Sequence, residues 1–276
     1  MIVTQDDETI NQILSSVESI CKKYPEKYWL ELDKAQSYPT EFVQSMTESG
    51  HLNALIPTKY GGAGLSLLIA AKILEKIHQS GCNAAAAHAQ MYTMGTILRH
   101  GSDEQKERFL PNIASGKLRL QAFGVTEPTA GSDTTQIQTT ATPTDGGYLI
   151  KGQKIWTSHA HHADWIFALV RTSTEGKKQE GISFLLIDMS TPGLEVKPII
   201  SMDGGHYLNE VFFVDVKVPV KNRIGEENLG WTYAKYLLGH ERTGIAGVAK
   251  SKRKLEKLKE IAGLEQVIGA PMIDDP

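Results

Sequence analysis

Cysteine is nearly absent: Cys21 and Cys82 are the only two in 276 residues, far apart and outside any CxxC spacing. That argues against a disulfide framework and against a structural zinc site, and it fits a reducing compartment. Long apolar runs are missing too, since none approaches the roughly 18 residues that span a bilayer. The opening MIVTQDDETI is polar and acidic, without a basic n-region, an apolar h-region or an Arg-rich transit pattern, so the expected location is cytoplasmic, with no membrane partner. There is no surplus of positive charge: 29 Lys and Arg stand against 32 Asp and Glu, for a formal net charge of -3. Such a chain has no global field to hold nucleic acid. It also has no internal repeat and no low-complexity tract. What it does have is an ordinary globular composition, 41% hydrophobic and 22% charged, and enough length for two or three compact units.

Helical periodicity fills the first 118 residues. Ile10, Ile13, Leu14, Val17, Ile20 and Cys21 recur at helical spacing behind an acidic first turn. Ser66 is placed to cap a helix running to about Gln79, Asn83–His100 reads as a long Ala- and Met-rich helix, and Ser102-Asp-Glu-Gln opens another to about Ala114. The pattern then changes to strand and turn. Strands are expected at Arg119–Val125, Gln136–Thr142, Tyr148–Ile155, Asp164–Arg171, Ser183–Asp188, Leu194–Pro198 and Glu210–Val218, as in a small barrel or sandwich. From Gly230 to Ala262 the periodicity predicts one long amphipathic helix with Leu237, Ile245, Val248, Leu255, Leu258 and Ile261 on its apolar face. The fold class is therefore α+β and multidomain: a helical unit over 1–118, a β unit over 119–228, and the incomplete opening of a second helical unit over 229–276.

Several tempting motifs have plainer readings. Gly61-Gly62-Ala63-Gly64 lacks the Lys-Ser/Thr of a phosphate loop and reads as a loop before a helix. His159, His161 and His162 with Asp164 read as a polar turn rather than a metal shell, because neighbouring strand residues face opposite ways. Ser158, His159 and Asp164 lack the GxSxG elbow of a hydrolase. The basic run 250–259 lies on an amphipathic helix and reads as a solvated face.

One pair of stretches stands apart. AFGVTEPTAGSD (122–133) passes from a buried strand into a long run of turn residues, and GQKIWTS (152–158) ends a strand with a large aromatic and two hydroxyls. Together they offer backbone donors, the hydroxyls of Thr126, Ser132 and Ser158, and an indole face, the parts needed to hold a flat hydrogen-bonding heterocycle.

With these stretches quoted, the chain resembles the acyl-CoA dehydrogenases. The resemblance is carried by FGVTEPTAGSD (123–133), GYLIKGQKIWTS (147–158), ISFLLIDMSTPGLEV (182–196), NEVFFVDVKVP (209–219), GEENLGW (225–231), HERTGIAG (240–247) and IPTKYGGAGLS (56–66), in the family's order. The rear, GWTYAKYLLGHERTGIAG, is similar to the large subunit of pimeloyl-CoA dehydrogenase, and the front to short- and medium-chain branches. The resemblance implies a helical domain, a middle β domain and a C-terminal helical bundle of which most is missing here. It implies FAD as cofactor, an acyl-CoA substrate, an electron-transfer flavoprotein as acceptor, a place in fatty acid β-oxidation, and a homo- or hetero-oligomer. By motif match, Phe123, Val125, Thr126, Gly131 and Ser132 line the flavin on one side and Trp156, Thr157 and Ser158 on the other. Ser132 and Arg242 face the CoA ester, and Glu241, next to Arg242, is the candidate base that removes the α-proton while a hydride leaves the β-carbon. The acyl tail is expected along the helix that contains Ala84–Met94. A flavin oxidase or monooxygenase on the same fold, and a catalytically silent or split fragment that binds flavin or CoA, are the rival expectations.

Overall fold

The computed structural model describes residues 7–245 and 247–274, with side chains at all of these except 90, 92, 240–245 and 267. Six α-helices come first: α1 (Asp7–Cys21), α2 (Glu26–Ala35), α3 (Thr40–Glu48), α4 (Leu67–Gln79), α5 (Ala85–His100) and α6 (Asp103–Ala114). Their boundaries follow from local chemistry. The Ser66 hydroxyl accepts the Ile69 N–H at the start of α4, and Ser102 with Gln105 forms a reciprocal capping box at the start of α6. Val17, Ile20, Phe42, Met46, Ile73 and Ile77 bury a shared core among α1, α3 and α4.

Seven strands follow: β1 (Leu120–Gly124), β2 (Thr140–Thr144), β3 (Gly147–Ser158), β4 (Trp165–Arg171), β5 (Ile182–Asp188), β6 (Leu194–Ile199) and β7 (Leu208–Pro219). They make one curled sheet in two halves. In one, β4 lies between parallel β1 and antiparallel β5; in the other, β3 lies between β2 and β7, with β6 outermost. A single bridge, Thr140 to Arg171, joins the halves. Strand β4 is buried on both faces. Phe167, Leu169, Phe184 and Leu186 pack outward against Met94, Ile97, Phe109 and Ile113 of the helical domain. Ile166, Ala168, Leu185, Ile187 and Val211 fill the inside of the curl.

The architecture expected from sequence is the one observed: a helical domain, a curled half-barrel sheet, and the start of a further helical region. Local boundaries differ in two places. The strand expected at 136–142 begins only at Thr140, because Asp133 caps a 3-10 turn at Thr134–Gln136 and the Glu127 carboxylate takes the N–H groups of Gln138 and Thr139. The single long helix expected from Gly230 is two, α7 (Gly230–Ile245) and α8 (Val248–Leu264), separated at Gly247 with φ 62°. A left-handed residue there redirects the chain, which glycine permits without a Cβ penalty. Helix α7 buries Ala234 and Leu237 in the main core, and a Cβ on Gly230 would sit 2.5 Å from Ser183, so α7 starts in contact with β5. Helix α8 turns to α4 instead, burying Ala249 and pairing Lys252 with Glu75 and Lys257 with Glu26. Leu255, Leu258 and Ile261, read as inward from periodicity, are exposed. A short hairpin, β8 (Gln266–Val267) with β9 (Ala270–Pro271), follows.

Candidate functional site

The candidate site is built where β1 ends. After Gly124 the chain leaves the sheet and makes a tight reciprocal turn, Glu127 N–H to Ala130 O at 2.9 Å and Ala130 N–H to Glu127 O at 3.1 Å. The turn is stitched to β3 by the Ile155 N–H, which donates to Thr126 O at 2.9 Å. Beneath it lies a buried ion pair that the sequence reading did not single out. Lys154 Nζ sits 2.8 Å from Glu127 Oε1 and 3.1 Å from Val125 O, while Glu127 also accepts the N–H groups of Gln138 at 2.6 Å and Thr139 at 2.9 Å. Burial draws Lys154 down to about 8 despite the adjacent carboxylate. For Glu127, burial pushes upward, but the Lys154 charge and the hydrogen bonds outweigh it and hold the carboxyl below its ordinary value. Neither end of the pair faces the cleft; the pair fixes the loop that does. A sequence signal existed: Lys154 occupies a position of β3 between inward Ile150 and Thr157, where an unpaired cation is untenable.

Beyond Lys154 the strand is forced out of register. Trp156 has φ 61°, and the β3–β7 pairing skips between Lys154 and Thr157. The bulge throws the indole outward, 53% exposed, and turns Thr157 into the core. Among the described residues the buried Thr157 hydroxyl has no hydrogen-bond partner. The result is a cleft of about 250 Å³ lined by Phe123, Val125, Thr126, Thr134, Ile155, Trp156 and Ser158, closed on one side by Leu238 of α7. Apolar walls with hydroxyls at their rim fit a planar ring with a hydrogen-bonding edge, which is the chemistry of a flavin ring.

Of the residues expected from the motifs, the structure brings Phe123, Val125, Thr126, Trp156 and Ser158 to this cleft. Gly131 and Ser132 lie on the same loop, exposed, outside the lining, and Thr157 points inward behind it. Glu241 and Arg242 fall on the last turns of α7, and their side chains lie outside the described residues. Thr134, Ile155 and Leu238 join the lining although the sequence reading did not name them.

Two neighbouring features complete the surroundings. Between α4, α5 and α7 lies an apolar hollow of about 160 Å³, bounded by Leu67, Ala70, Leu74, Met91, Leu98 and Tyr236 with His88 at its edge. Past Ser158, a 3-10 turn at Ala160–His162 carries the histidines. The His161 ring stacks on His206 at 4.0 Å and His162 leans on Tyr38 at 4.8 Å. Burial and then the neighbouring His161, His159 and Arg119 hold His162 down to about 4. Among the described residues no group of three or more His, Cys, Asp or Glu is arranged to hold a metal ion.

Comparison with known proteins gives a consistent picture. The family model described as acyl-CoA dehydrogenase, N-terminal domain, matches residues 7–117, and that of the middle domain matches 122–216. The chain is 37% identical over 208 residues to acyl-CoA dehydrogenase FadE29 of Mycobacterium tuberculosis, covering 74% of this chain and 53% of the relative. It is 28% identical to cyclohex-1-ene-1-carbonyl-CoA dehydrogenase of Syntrophus aciditrophicus, over 98% of this chain and 68% of that one. Among solved structures, butyryl-CoA dehydrogenase from Megasphaera elsdenii superposes with a TM-score of 0.89 at 27% identity, over 100% of this chain and 74% of that chain. The prolyl acyl carrier protein oxidase AnaB also reaches 0.89, at 25% identity over 98% and 72%. The chain thus spans about half the length of FadE29.

Proposed function

The chain belongs to the acyl-CoA dehydrogenase family, and we propose on that basis that it serves the α,β-dehydrogenation of an acyl-CoA thioester, with FAD as cofactor and an electron-transfer flavoprotein as electron acceptor. The observation that carries this reading is the cleft where the loop after β1, the bulged end of β3 and Leu238 of α7 meet. When bound, FAD supplies the two-electron oxidant for the carbon–carbon bond.

The remaining work falls to the chain's own residues. Phe123, Val125 and Thr126 hold one side of the ring system, and the indole of Trp156 walls the other. Ser158 presents its hydroxyl at the rim, and Thr157 supports the bulge from behind. Gly131 keeps the loop close to Thr126, and Ser132 lies toward the CoA ester. On α7, Arg242 pairs with the CoA portion and the Glu241 carboxylate takes the α-proton. Excluding water from such a carboxylate raises its basicity, and donors aimed at the thioester oxygen favour the enolate-like transition state. We also read residues 1–118, 119–228 and 229–276 as the three units that meet at this cleft, in an oligomer that works in β-oxidation.

A second reading has support in the likeness to an acyl carrier protein oxidase: the same cleft serves an oxidase in which dioxygen replaces the flavoprotein acceptor. The test is the visible spectrum of the purified chain with FAD, before and after anaerobic addition of acyl-CoA. Bound flavin that bleaches is the expected result, and rapid reoxidation by air then favours the oxidase. A protein that takes up no flavin overturns the reading. One that binds flavin yet leaves it oxidised with every acyl-CoA binds without turning over alone.

A further inference from the structure

Helix α5 places one histidine between two hollows of opposite character. The inner hollow, about 160 Å³, is apolar apart from His88 and Tyr236. It is close to the volume of about 150 Å³ that accepts a benzene ring, so it takes a ring or a chain of roughly six carbons. The outer hollow, about 420 Å³, shares Ala71, Leu74 and His88 with it and is polar, bearing Lys72, Glu75, His78, Asn83 and Lys250. The two are one cleft with an apolar end and a charged end, meeting at His88.

Charge at the outer end is not balanced. Glu75 is engaged by Lys252 at 2.7 Å and by the Gln79 amide at 3.3 Å. Among the described residues, neither Lys72 nor Lys250 has a carboxylate within ion-pair distance. Burial, and then the charge on Lys250, hold His78 below its ordinary value, so that ring stays a neutral hydrogen-bonding group near pH 7 and Lys250 is close enough to be felt in the hollow. Two ammonium groups therefore face one hollow whose only carboxylate is already spoken for. A purely aliphatic ligand filling the apolar end leaves both unanswered, whereas a carboxylate answers them with charge-assisted hydrogen bonds.

We propose that this paired cleft selects an acyl group bearing a second carboxylate, its apolar body of about six carbons in the inner hollow and its negative end between Lys72 and Lys250, with His88 at the boundary. The inference rests on the acyl-CoA reading above and names the substrate class within it.

Isothermal titration of the FAD-loaded chain with hexanoyl-CoA, 6-hydroxyhexanoyl-CoA and 5-carboxypentanoyl-CoA tests it. The carboxylated thioester is expected to bind about tenfold tighter than hexanoyl-CoA, the worth of one charge-assisted contact. That preference falls to near unity in the Lys72→Gln/Lys250→Gln double variant and weakens in high salt, while hexanoyl-CoA binding is unchanged. His88→Leu reduces the preference but keeps hexanoyl-CoA. Equal affinity for the carboxylated and plain thioesters overturns the proposal and leaves the acyl-CoA reading intact. So does an equal gain from the hydroxyl, or a preference that survives the double variant with its fold unchanged by circular dichroism. If no thioester binds, the acyl-CoA reading falls and this proposal falls with it.

Discussion

Lys154 and Glu127, 27 positions apart in sequence, form an ion pair at 2.8 Å with both side chains almost wholly out of water. Every oxygen and proton that the pair exposes is used by backbone of the loop or of the residues leading to β2. Removing one partner strands the other charge, so Glu127→Gln and Lys154→Met are each expected to cost about 3–5 kcal/mol. The double variant Glu127→Gln/Lys154→Met loses less than the sum. Urea unfolding of the four proteins measures this coupling, and additive losses would show that the pair does not act as a unit.

Gly152 gives a second prediction. Its φ is 148°, and a Cβ there would come within 2.5 Å of the Thr139 hydroxyl oxygen and 2.6 Å of Thr139 Cα. The contact is with backbone and cannot rotate away. Gly152→Ala should destabilise by at least about 2 kcal/mol, whereas Gly146→Ala, at a turn with nothing within 4 Å, pays only for its positive φ. Thermal melts of the two variants separate steric from conformational cost.

Trp156 should behave in the opposite way. Its indole is more than half exposed and packs against little, so Trp156→Ala is expected to change stability by no more than about 0.5 kcal/mol. The same change should weaken FAD binding by at least about tenfold if the indole walls the flavin. Fluorescence titration with FAD reads the second effect and a melt the first. Unaltered FAD affinity would remove Trp156 from the proposed site.

Acid should loosen the histidine turn before it reaches the carboxylates. His162 is held at about 4 in the fold, below its ordinary value near 6.5. The unfolded chain therefore binds more protons between those values, and the stability from His162 is lost as pH falls from about 6.5 toward 4. The groups facing it are His161, His159, Arg119 and His206, all of which disfavour its charge. Melts from pH 7.5 to 4.5 should show a falling midpoint, and His162→Asn should flatten the slope. A variant as acid-sensitive as the parent would mean that the loss comes from elsewhere.

The sequence made much of this visible, and the misses have physical causes. Ser66 and Ser102 were readable as caps because capping is local chemistry, and the two-residue periodicity of β3 and β7 announced strands. The pairing of β1 with β4 was not readable, since it joins segments separated by a turn, two strands and the histidine loop. The break at Gly247 was hidden because an apolar stripe runs across it, and only tertiary contacts decide whether a glycine there bends the chain. At the cleft, Phe123, Val125, Thr126, Trp156 and Ser158 came from motif resemblance, while Leu238 arrived by the packing of α7 and left no sequence mark. Lys154 was passed over because a lysine on a strand is usually solvated, and only its partner 27 residues earlier makes burial tolerable.

The layout of the sheet also sets a timetable. Strand β3 is pinned along its length by β7, Gly147 opposite Pro219 at one end and Ser158 opposite Leu208 at the other. A ribosome adding roughly 5–20 residues per second delivers that partner several seconds after β3 has emerged. Through that interval β3 has only the short hairpin with β2 to hold it, and Lys154 has no sealed interior in which to meet Glu127. The loop that shapes the cleft is thus among the last parts of the nascent protein to set, and a pause in translation before residue 208 would leave its apolar strands open to whatever chaperone or neighbouring chain reaches them first.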